Sequence, residues 1–66
     1  MKTLIETTIC KTNGHKVRLK VTAGSHNYIP YFRVLQEVDD DCVYFYPNTY
    51  EQALKTYRQL FDFHTL

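Results

Sequence analysis

Over residues 16–22 the chain alternates without a break, with Val17, Leu19 and Val21 on one side and Lys16, Arg18 and Lys20 on the other. Successive side chains of a strand point to opposite faces, so the pattern predicts a strand with one dry and one wet face. Upstream, Ile5, Thr7 and Ile9 alternate with Glu6, Thr8 and Cys10, and Asn13-Gly14 between the two runs is a hairpin signal. A two-residue loop would bury Glu6 beside Val21 and set Ile9 beside Arg18. A three-residue loop, Thr12-Asn13-Gly14, puts Gly14 in the left-handed position of a G1 bulge and lets Lys11 face His15. It pairs Ile9 with Val17, Thr7 with Leu19 and Ile5 with Val21, while Glu6 meets Lys20 on the outer side. A one-residue slip turns every side chain over, so the hydrophobic pattern selects the three-residue loop.

Residues 23–27, AGSHN, read as a polar break. Beyond it Phe32, Val34 and Val38 share one side and Tyr31, Arg33, Leu35 and Glu37 the other. Pro30 has no ladder donor and belongs near the strand start or on an unpaired edge. Asp39, Asp40 and Asp41 form the next reversal, after which Val43 and Phe45 oppose Cys42, Tyr44 and Tyr46. The period then changes: Tyr50, Ala53, Leu54, Tyr57, Leu60 and Phe61 recur at spacings of three and four, the stripe of an amphipathic helix. Asn48 with Glu51, or Thr49 with Gln52, has the spacing of a capping box, and Glu51 precedes Lys55 by a helical turn.

These elements predict an α+β fold. A single domain over 1–66 comprises a hairpin at 3–22, a second at 28–46, a helix at 49–62 and a short tail at 63–66. The four-stranded antiparallel sheet packs one face against the C-terminal helix. The expected core is Ile5, Ile9, Val17, Leu19, Val21, Phe32, Val34, Val43, Phe45 and the helix stripe. One helix covers one face, so the other presents Lys16, Arg18, Lys20, Tyr31, Arg33, Leu35, Tyr44 and Tyr46, cationic at one end and aromatic at the other.

Composition sharpens this picture at two points. A chain of 66 residues buries a thin core, and small domains commonly gain stability from disulfides, metals or a second copy. Aromatic residues make up 15%, with six Tyr, four Phe and no Trp; Tyr suits surfaces that are apolar on one side and wet on the other. Cys10 and Cys42 are too few for a disulfide scaffold and read as reduced thiols. Glu6, Thr7 and Thr8 interrupt any signal-peptide core and no run reaches the length of a membrane span, so a cytoplasmic location and no membrane partner are expected.

Candidate chemistry is sparse. No nucleophile, base and orienting residue stand at a recognisable spacing among His15, His26, His64, the cysteines and the aspartates, so neither enzyme activity nor a cofactor is expected. A zinc site from Cys10, His15, Cys42 and His64 lacks the paired spacing that makes such sites readable. The acidic run at 39–41 lacks the alternation of a calcium loop and fits a polar turn.

Two binding readings remain. The leading one is a non-enzymatic protein-interaction module, homodimeric through the uncovered sheet face. Arg18, Tyr31, Arg33, Leu35, Tyr44 and Tyr46 form its contact surface, since Tyr and Arg concentrate at interface centres. Phe63 and Leu66 either add a second contact or fold back over the core. The alternative is nucleic-acid binding through Lys16, Arg18, Lys20 and Arg33: residues 1–24 hold five Lys or Arg against one Glu, a balance of +4, although the whole chain carries only +1. A sheet followed by a helix resembles, in topology, the DNA-binding arm domains of phage integrases, which implies a sheet laid in the major groove. In size and style the chain also resembles the small inhibitors that phages and mobile elements direct at bacterial defence systems, including the anti-CRISPR class. That resemblance implies a protein partner.

Overall fold

The pairing of the first hairpin follows the hydrophobic alternation residue by residue. In the computed structural model, which describes residues 2–12 and 14–65, β1 (Lys2–Cys10) pairs antiparallel with β2 (Lys16–His26). Ile9 stands opposite Val17, Thr7 opposite Leu19, Ile5 opposite Val21 and Glu6 opposite Lys20, the register of the three-residue loop. Gly14 has φ +87°, a left-handed conformation suited to glycine. Its N–H donates to Lys11 C=O at 3.1 Å, and Lys11 N–H donates to His15 C=O at 2.9 Å. Asn13, Met1 and Leu66 lie outside the described residues. Near the start of β1 the register shifts between Thr3 and Ile5, so Leu4 bulges.

The sheet continues through β3 (Ile29–Val38) and β4 (Asp41–Phe45) in the order β1-β2-β3-β4, every neighbour antiparallel. Ala23 to His26, expected as a break, instead extend β2 and pair with β3 as far as His26 opposite Ile29. Strand-poor residues are held there by their partners: a Cβ on Gly24 would lie 2.8 Å from the ring of Tyr31, the residue directly across, so the aromatic ring occupies the space over the glycine. Pro30 falls at the strand start as expected.

The helix α1 (Tyr50–Thr65) lies over β2 and β3. Thr49 is its cap: its Oγ1 accepts from Gln52 N–H at 3.1 Å, and Gln52 Oε1 accepts from Asn48 N–H at 3.1 Å. The helix runs to Thr65 rather than ending at 62, because the Thr65 hydroxyl donates to Phe61 C=O at 2.8 Å and buried His64 bonds Gln36 of β3 at 3.0 Å. The tail expected at 63–66 is thus helical through Thr65. His64 turns inward and Phe63 is 70% exposed, while Leu66 falls outside the described residues.

Val17, Leu19, Val21, Val34 and Ala53 are buried, and Ile5, Phe32, Phe45, Tyr57 and Leu60 pack partly buried around Val21, Val34 and Ala53. Val43 is a correction: it was expected in the core and is 45% exposed. It has the helix-side orientation, opposite Gln36, but the helix sits over β2 and β3 and leaves the outer strand uncovered.

Candidate interaction surface

Antiparallel register arranges the uncovered face in rows across the strands. Thr8, Arg18, Glu37 and Cys42 make one row; Glu6, Lys20, Leu35 and Tyr44 make the next; Thr22 and Arg33 follow, and then Gly24 and Tyr31. The first two rows each set a cation beside a carboxylate, and cross-strand neighbours on one face are close enough to interact. Arg18 Nη2 donates to Glu37 Oε2 at 3.0 Å, and Lys20 Nζ stands 4.0 Å from Glu6 Oε2. The Arg33 guanidinium lies over the Tyr44 ring, 5.0 Å from its centroid, a cation–π arrangement.

The same Glu37 carboxylate accepts from the Cys42 thiol at 3.4 Å. That hydrogen bond, followed by burial and the nearby carboxylate charge, pushes the Cys42 thiol above its ordinary range, so it stays protonated and a poor nucleophile. Lys16 and Arg18 line a shallow depression with Glu37, Asp39 and Asp40, where the acidic turn comes back against the basic strand. At that end His15 Nδ1 and Asp39 Oδ2 are 2.6 Å apart, tying the first hairpin turn to the third.

Among the residues expected on the contact surface, Leu35, Tyr44 and Arg33 come together at β3 and β4, with Leu35 directly opposite Tyr44. Tyr46 follows β4 and is 67% exposed. Arg18 sits one row away, held by Glu37. Tyr31 is separate, half-buried over Gly24. The zinc candidates do not converge: Cys10 and Cys42 lie on the two outermost strands, and His64 is on the helix, bonded to Gln36. Among the described residues no group of three or more His, Cys, Asp or Glu is placed to hold a metal ion. No helix there is long and apolar enough to cross a membrane.

Two exposed features escape sequence reasoning. The first is Val43, whose alternation assigns a side but not a cover. The second is the β2–β3 turn, where Asn27 and Tyr28 have φ of 51° and 64° and Tyr28 is fully exposed beside Ile29 at 68%. Its signal would have been Asn27 at a position that tolerates left-handed backbone, hidden by the tyrosine that follows it. The chain matches no protein-family model, no curated protein and no solved structure.

Proposed function

We propose that this protein is a non-enzymatic interaction module that acts by protein–protein contact and associates with a second copy of itself. Its contact region is the β4 side of the sheet, around Tyr44 and Tyr46. The observation that carries this reading is the coverage of the sheet: α1 lies over β2 and β3 on one face, while Tyr44 stands 46% exposed on the other and Tyr46, just past the end of β4, is 67% exposed. Arg33 stacked on Tyr44 limits the freedom of both side chains before any partner arrives, which lowers the ordering cost of contact. Binding without catalysis suits a small inhibitor that acts by covering its target, and that is the biological setting proposed.

The nucleic-acid reading is weaker for a specific reason. Arg18 and Lys20 are matched in their own rows by Glu37 and Glu6, and Asp39 and Asp40 border Lys16. Phosphate approaching this strand would meet carboxylates interleaved with the cations.

Light scattering on the eluting protein tests the proposal. The parent chain should elute as a dimer and Tyr44→Glu as a folded monomer; equal masses for the two overturn it. A complex with duplex or single-stranded DNA that weakens steeply with salt would favour the alternative.

A further inference from the structure

An open sheet has two edges, and each exposes a row of backbone N–H and C=O groups able to pair with another strand. The two edges of this sheet are treated differently. β1 carries the Leu4 bulge and charged Lys2 and Glu6, devices that twist an edge away or make it costly to cover. β4 has neither a register shift nor a Lys, Arg or Pro within Asp41–Phe45. It is also apolar on both sides, with Val43 45% exposed on the helix side and Tyr44 46% exposed on the open side. Five residues are enough for one short antiparallel pair.

We propose that the second copy of this chain adds at this edge, pairing β4 antiparallel with its counterpart about a two-fold axis at Tyr44, so that two four-stranded sheets join into one of eight. The proposal rests on the self-association reading above and specifies its geometry. Faces must match across the junction, so only registers that keep open face beside open face are allowed. Centring on Val43 would set Asp41 opposite Phe45 of the other copy. Centring on Tyr44 sets Tyr44 opposite Tyr44, Val43 opposite Phe45 and Cys42 opposite Tyr46, and leaves Asp41 opposite Pro47, beyond the end of β4. It also carries the two Asp41 carboxylates to opposite ends of the junction, roughly 20 Å apart at the rise of a strand. Stacking two open faces instead would desolvate Arg18, Lys20 and Glu37 in both copies, whereas edge pairing leaves all of them in water.

The edge geometry separates two variants. Val43 faces the helix side at the edge and lies outside any stacked open face, while Leu35 is on β3, one strand in from the junction. In sedimentation equilibrium Val43→Lys should weaken the dimer by about tenfold or more, a change of at least about 1.4 kcal/mol, and Leu35→Glu should leave it within twofold of the parent. Hydrogen exchange on the parent chain should show β4 amides slowing as concentration rises. A dimer that resists Val43→Lys overturns edge pairing while self-association stands. So does one that exchanges its β4 amides at the same rate at all concentrations, which also decides the case where both variants dissociate or one fails to fold. A parent chain that is monomeric throughout overturns the underlying reading as well.

Discussion

The hydroxyls of Thr7 on β1 and Tyr57 on α1 are 2.5 Å apart, joining an outer strand to the helix across fifty positions of sequence. Thr7 occupies a core-facing site opposite Leu19, so its hydroxyl needs a partner, and the phenol supplies one where an apolar neighbour would leave it stranded. Removing one partner should therefore cost more than removing both. Tyr57→Phe is expected to destabilise by about 1 kcal/mol. Adding Thr7→Val should recover part of that loss, read as positive coupling in a double-mutant cycle by urea unfolding.

His64 should make the fold sensitive to mild acid. Its Nε2–H donates to Gln36 Oε1, and its buried Nδ1 has no hydrogen-bond partner among the described residues. Burial first, then the charge of Lys11, holds its pKa below the ordinary 6.5. The unfolded chain takes up a proton more readily than the folded one, so this contribution is complete above about pH 6.5 and is lost as pH falls through that value toward the lower folded pKa. Unfolding midpoints should drop between pH 7.5 and 5.5, and His64→Phe should flatten the drop.

The tip of the β2–β3 hairpin holds Tyr28 at φ 64°, a conformation that glycine adopts without steric cost and a bulky residue does not. Tyr28 is fully exposed, so its ring returns little to the fold. Tyr28→Gly should raise stability by about 1 kcal/mol, visible as a higher melting temperature. A lower one would mean that the ring packs on the hairpin in solution.

Cys42 should alkylate slowly for an exposed thiol, because the Glu37 carboxylate holds its proton. Glu37→Gln removes the charge and should speed the reaction with iodoacetamide at pH 8 by several-fold. Equal rates would show that the contact does not persist in solution.

The register of the first hairpin was legible because Ile5, Ile9, Val17, Leu19 and Val21 admit only one phase that keeps Glu6 and Arg18 in water. The full length of β2 was not. Ala23, Gly24, Ser25 and His26 have little strand preference of their own and are strand because β3 lies beside them, with Tyr31 over Gly24. The helix stripe was plain from its period, yet its end depended on a long-range contact, His64 with Gln36, that no local pattern encodes. For the candidate surface, alternation placed Leu35, Arg33 and Tyr44 on one face. It was silent about the pairing of Arg18 with Glu37, and about how far the helix reaches, which decides that Val43 is exposed.

The most direct test of the central claim, that this chain works by associating through its exposed tyrosine edge and face, is the mass of the purified protein by sedimentation equilibrium across micromolar concentrations. The account predicts a reversible rise from 7.9 kDa toward twice that value, abolished by Tyr44→Glu. A mass that stays at 7.9 kDa at every concentration contradicts it.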